Sequence, residues 1–317
     1  MKRNTMANNR AVLATVAIFL AACALAVPAR AGTQINRAMK LEPGGRFVLE
    51  TFAGTVNVMG SNESGADVVI TSPRDDIQSD VDFDFEQNPG EVDIKAVRRD
   101  PWSFFFGGFY QGWLHYDIRV PKNTQVVIRT SGGGIKVFAL AGDTELHTSG
   151  GSIEASQVAG NLRASSSGGN IHAEVIHGDA QLSTSGGGIE ADAIDGPLRA
   201  YTSGGWVHIN GVVGRVDAHT SGGSIDAVFN KGDSSGGSLS TSGGSINVKV
   251  DPAVNLDIEA STSGGVVRSD LPVHQAGDDW SNGGGWHRKT HLRGTLGSGG
   301  DMLQMHTSGG SIHISGL

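Results

Sequence analysis

The sequence is short of cysteine, of aromatic rings and of positive charge, and each shortage removes a class of protein. Cys23 is the single cysteine, so no disulfide can form within the chain. Aromatics make up 6% of residues while glycine numbers 48. That composition suits tight turns between short strands and opposes a helical bundle. The formal net charge is −8 and no basic block occurs, which argues against nucleic acid and against sulfated or phosphorylated polyanions as partners. Beyond Val27 no apolar run approaches the roughly 20 residues that a membrane-spanning helix needs.

What the chain has instead is periodic glycine. Low-complexity disorder would show no fixed period and few β-branched residues. Here Ile or Val stands between the glycines at a fixed spacing, which marks an ordered repeat. A Ser-Gly-Gly motif, usually preceded by Thr, begins at Ser131, Ser149, Ser167, Ser185, Ser203 and Ser221, 18 residues apart each time. Ser242 and Ser263 follow at spacings of 21, and Ser308 comes after a longer insertion. A second glycine keeps the same period at Gly142, Gly160, Gly178, Gly196 and Gly214. Each unit therefore holds two turns and two short extended runs, with glycine expected at the turns because it reaches φ > 0 without penalty.

Between the turns the pattern alternates with period two, as strands do. Ile135, Ile153, Ile171, Ile189, Val207 and Ile225 form one inward column. Val137, Ala155, Ala173, Ala191, Ile209 and Ala227 form the next, and Leu140, Val158, Ile176, Ile194 and Val212 a third. A helix would lose about 1 kcal/mol per glycine relative to alanine, and one 18-residue coil could not bury its apolar face alone. Stacked coils can, with strands pairing about 4.8 Å apart. The sequence thus predicts an all-β fold, a parallel β-solenoid with 18-residue coils over residues 126–317 and an insertion near 270–300. About nine coils would make a rod of roughly 40 Å. Crossovers between parallel strands are normally right-handed, so a right-handed coil is expected. Residues 32–125 also alternate, as in Val56 with Val58 and Ile118 with Val120. They read as an irregular N-terminal β region or cap, because an open solenoid end is a bare strand edge.

Residues 1–31 read as a secretory signal peptide: Lys2, Arg3 and Arg10, then an apolar stretch from Ala11 to Val27, then Ala29-Arg30-Ala31. Leu20-Ala21-Ala22-Cys23 also fits a lipobox, with Cys23 as the lipidated residue. Either way the expected location is exported, in the periplasm or at the cell surface, and the lipobox leaves peripheral membrane association open.

The segments Gly54-Thr55-Val56-Asn57-Val58, Tyr116-Asp117-Ile118-Arg119-Val120-Pro121 and Thr130-Ser131-Gly132-Gly133-Gly134-Ile135, with the repeats that follow, resemble the bacterial putative-adhesin family. These are exported β-solenoid domains of unknown function, related to adhesin head domains with Gly-Ile-Asn repeats. The resemblance implies the fold and brings no catalytic residues. Gly297-Ser298-Gly299-Gly300 departs from it, since no Ile stands four residues after Ser298, and is not expected to start a regular coil.

Three features lie outside the repeat's structural role. The position five after each motif serine reads Lys136, Glu154, His172, Glu190, His208 and Asp226, an outward column that is either a ladder of paired charges or, at His172, Glu190 and His208, a metal site. Five Trp, three Tyr and eleven Phe make 19 aromatics, of which seven fall in residues 102–113. Trp102, Phe104, Phe105, Phe106, Phe109, Tyr110 and Trp113 would either bury as a cap or dock a glycan, a protein or a lipid surface. Trp280, Trp286, His287 and His291 mark the later insertion, expected to be a surface loop.

No Asp follows any Gly-Gly turn of the regular repeat, unlike calcium-binding β-rolls. No His–Asp pair repeats beside the serines, so no triad is expected, and no cofactor is called for. The favoured reading is a non-enzymatic envelope protein presenting a rigid solenoid for adhesion or scaffolding to an unidentified envelope component. A carbohydrate-active β-helix enzyme and a periplasmic binding or sensing module are the alternatives.

Overall fold

A computed structural model describes residues 32–99, 114–230, 236–274 and 290–317. The first strands are β1 (Thr33–Met39), β2 (Arg46–Thr51), β3 (Thr55–Ser61), β4 (Ala66–Ser72), β5 (Val81–Asn88), β6 (Glu91–Arg98) and β7 (His115–Pro121). The regular coils follow: β8 (Gln125–Thr130) with β9 (Ile135–Leu140), β10 (Thr144–Thr148) with β11 (Ile153–Val158), and β12 (Leu162–Ser166) with β13 (Ile171–Ile176). They continue through β14 (Ala180–Thr184) with β15 (Ile189–Ile194), β16 (Leu198–Thr202) with β17 (Val207–Val212), and β18 (Val216–Thr220) with β19 (Ile225–Phe229). The last strands are β20 (Gly237–Thr241), β21 (Ile246–Val250), β22 (Leu256–Thr262), β23 (Val267–Ser269), β24 (His291–Leu296), β25 (Met302–Thr307) and β26 (Ile312–Gly316).

These strands form two unclosed sheets of thirteen, one coil contributing a strand to each. The register follows the repeat: Ile153 pairs with Ile135 and Ile171, and Ala155 with Val137 and Ala173. The three inward columns read from the sequence are buried throughout. They join Val56, Val58, Tyr116 and Ile118 at one end and Leu303, Met305, Ile312 and Ile314 at the other in one continuous core. Each buried Ile or Leu contributes about 1.5–3 kcal/mol, so the ladder of like residues is the main source of stability.

The stack is longer than the motif serines imply. In one sheet, eleven described strands run parallel from β7 to β23. The two coils beyond the expected nine are β2–β3 and β6–β7. Gly54–Val58 lies in one of them, with Val56 beside Ile135 and Val58 beside Val137. Ser298 starts no coil; it lies in the turn between β24 and β25.

The order of coils in space is not their order in the chain. Coil β2–β3 lies between β6–β7 and β8–β9. At the far end, β25–β26 lies between β20–β21 and β22–β23. Antiparallel strands close the edges: β4 and β1 beyond β7, β5 beyond β6, and β24 beyond β22. At the first end Arg98 sits over the Phe52 ring at 4.8 Å and Arg37 over Phe85 at 5.1 Å.

The turns correct the expected role of glycine. In the coils that start at Ser131, Ser149, Ser167, Ser185 and Ser203, positive φ falls eight residues after the motif serine, on Ala139 (58°), Gln157 (56°), Val175 (56°), Ala193 (53°) and Gly211 (67°); of the motif glycines in these coils, Gly133 alone shares it (108°). That residue makes a third corner in each of these five coils. The second motif glycine is required instead by close stacking. A Cβ on Gly169 would lie 2.1 Å from the Gly151 carbonyl oxygen, and one on Gly187 would lie 2.2 Å from that of Gly169. The first motif glycine is looser: a Cβ on Gly168 would meet its nearest atoms at 3.6 Å.

Candidate functional site

The Thr before Ser-Gly-Gly explains how the turns are held. Thr184 donates its hydroxyl to the Gly169 carbonyl of the preceding coil (2.8 Å) and accepts from the Gly187 N–H (3.3 Å). Thr148, Ser166, Thr202 and Thr220 make the same pair of bonds. These hydroxyls are buried and fully engaged, so they form a structural chain rather than a row of nucleophiles. At the first end Thr51 takes the equivalent place beside Thr130 and also meets the Tyr116 hydroxyl at 2.9 Å. Burial pushes the Tyr116 phenol well above its usual pKa, and the Thr51 bond only partly opposes this.

On the outer face, the column five residues after the serine is a ladder of pairs, as one of the two sequence readings expects. Lys136 meets Glu154 at 2.6 Å, Asn247 donates to Asp226 at 2.7 Å, and His172 Nδ1 lies 3.1 Å from Glu190 Oε2. The other sheet behaves alike. Arg129 reaches Glu145 at 2.7 Å and Glu50 at 3.4 Å. A shallow polar groove of about 180 Å³ beside it is lined by Asp143, Asn161 and Asp179 among others. There the Asn161 N–H donates to Asp143 Oδ1 and the Asp179 N–H to Asn161 Oδ1, each at 3.0 Å. Asp143 and Asn161 thus each join one coil to the next.

Of the expected metal trio, the structure brings together His172 and Glu190. Their third neighbour is Asp192, with the candidate ligand atoms all within 4.8 Å of one another. His208 pairs in register with Glu190 but is not in that group. Asp192 was missed because the sequence reading followed one column, while the cluster crosses into the column two residues on.

The aromatic run Trp102, Phe104, Phe105, Phe106, Phe109, Tyr110 and Trp113 lies outside the described residues, as do Trp280, Trp286 and His287. Their points of attachment are described. Residues 100–113 depart from β6 and return to β7, in the terminal coil at one end. Residues 275–289 return to β24, at the edge of the other end. On the regular body, Tyr201 and Trp206 belong to one coil and are each 45% exposed. The Trp206 indole packs against Gly188, where a Cβ would come within 2.5 Å of the ring.

Comparison with known proteins gives a family and little else. The family model described as Toastrack DUF4097 matches residues 47–315. No curated protein matches the chain. Among solved structures, a "putative adhesin" from Bacteroides fragilis is 11% identical, with 90% of this chain and 97% of that one covered and a TM-score of 0.39. A "putative lipid binding protein" from Parabacteroides distasonis is 12% identical, with 89% and 96% covered and a TM-score of 0.40. A "putative cell adhesion protein" from Clostridium sporogenes is 11% identical, with 90% and 100% covered and a TM-score of 0.22. None of these superpositions is close enough to carry a function across.

Proposed function

Because the chain belongs to the Toastrack DUF4097 family, which its matched residues 47–315 establish, we propose that it is a non-enzymatic, adhesin-like or scaffolding protein of the cell envelope. Its solenoid is a rigid spacer, and contact is made from the terminal coils. The observation that supports this reading is the self-sufficiency of the regular body. Core and turn hydroxyls are satisfied by neighbouring coils, and outer charges pair between coils at several places, as in Thr184 with Gly169 and Lys136 with Glu154. A catalytic cleft would need polar groups held in reserve.

Chemistry for a partner is concentrated instead where the period breaks. The aromatic segment 102–113 is attached to the terminal coil through β6 and β7, and seven rings in twelve residues suit an amphipathic or apolar partner surface. On this reading the N-terminal signal delivers the protein to the periplasm or surface, where it meets an envelope protein, glycan or lipid.

The test is deletion of residues 102–113, read by melting and by retention in envelope fractions. The expected result is an unchanged melting temperature with retention lost. Retention that survives the deletion, or cleavage of a polysaccharide by the intact chain, would overturn the proposal.

A further inference from the structure

Among the registers of the regular coils, one pair sets like charges opposite each other. On β13 and β15, Glu174 stands in register with Asp192, and His172 in register with Glu190. Like charges directly opposite each other on neighbouring strands are destabilising. Three carboxylates surround one imidazole here: His172 Nδ1 lies 3.1 Å from Glu190 Oε2 and its Nε2 lies 4.0 Å from Glu174 Oε2. These carboxylates meet the imidazole itself and the Ser156 hydroxyl, which lies 3.4 Å from Glu174 Oε2. Elsewhere in the column a lysine or an amide meets the acid.

We propose that His172, Glu190 and Asp192 bind a divalent first-row transition metal such as zinc, with the Glu174 carboxylate beside them. Their ligand atoms already lie within 4.8 Å of one another, and all three residues are half-buried. Tetrahedral zinc with bonds of about 2.0–2.2 Å places ligand atoms about 3.3–3.6 Å apart. Rotamer changes in these partly exposed side chains close the gap, and water completes the coordination. One imidazole with carboxylates favours zinc over calcium, which takes oxygen ligands alone. The cation removes the Glu174–Asp192 repulsion and ties two adjacent coils together on the outer face.

The experiment is calorimetric titration of the full, untagged chain with zinc, alone and with excess calcium, and with melting curves for every variant. One high-affinity equivalent is expected, unaffected by calcium and raising the melting temperature. His172→Ala and Asp192→Asn are each expected to weaken it about tenfold or more, while His208→Ala leaves it unchanged. Absence of a saturable equivalent, or an affinity that survives His172→Ala or is lost in His208→Ala, overturns the assignment. Because these side chains are on the surface, unchanged melting of the metal-free variants separates lost ligation from lost folding. The site is independent of the aromatic segment, so this result and the envelope-retention test can fail separately.

Discussion

Within one Ser-Gly-Gly motif the two glycines have different physical reasons, and this can be measured. Gly169→Ala would press a methyl against the Gly151 carbonyl, a form of overpacking that costs about 1–3 kcal/mol. Gly168→Ala has ordinary clearance and is expected to leave urea unfolding nearly unchanged. The third corner behaves in the opposite sense. Val175 holds φ at 56°, where an L-residue pays about 1–2 kcal/mol, and Gly211 shows the relaxed solution at the equivalent place. Val175→Gly should therefore raise stability by up to about 1 kcal/mol in the same assay. Tyr116 makes stability depend on alkaline pH. Its folded pKa is raised by burial, so its contribution is complete below the unfolded phenol value of about 10 and is lost as pH rises beyond it. Tyr116→Phe should lose less melting temperature than the parent between about pH 9.5 and 11.

At the scale of the element, the turn hydroxyls add a side-chain link between coils to the strand ladders. Thr184→Val keeps the volume but leaves the Gly169 carbonyl and Gly187 N–H without their partner, a loss of about 1–3 kcal/mol in denaturant unfolding. Thr184→Ser should be tolerated, because Ser166 fills the same place one coil earlier with the same two bonds. The pairing of His172 with Glu190 was legible from the 18-residue spacing. The cluster with Asp192 was not, because it depends on two side chains leaning across adjacent columns, and spacing along a single column carries no information about that.

For the whole molecule, thirteen strands per sheet at about 4.8 Å give a stack of roughly 60 Å. The positions of β25 and β26 make a sharper prediction than the length does. They are the last strands in sequence, yet each is flanked on both sides by parallel strands. Native-state hydrogen exchange should find the amides of residues 303–307 and 312–314 as protected as those of the central coils, against the usual fraying of a chain end. Fast exchange there would contradict the inserted arrangement.

The sequence by itself determined the coil. Period-two alternation named the buried columns, from Ile135 to Ile225 and from Leu140 to Val212, and the motif period set their register. The tertiary structure decided which coil lies beside which, and why glycine is needed. Coils built from ladders of like residues are nearly interchangeable neighbours, so nothing local says that β2–β3 or β25–β26 belongs one place in from the end. Nor does a glycine in the sequence distinguish a positive φ from the close approach of another backbone. Only the stacked turns, with Gly169 against Gly151, show that here it is the approach.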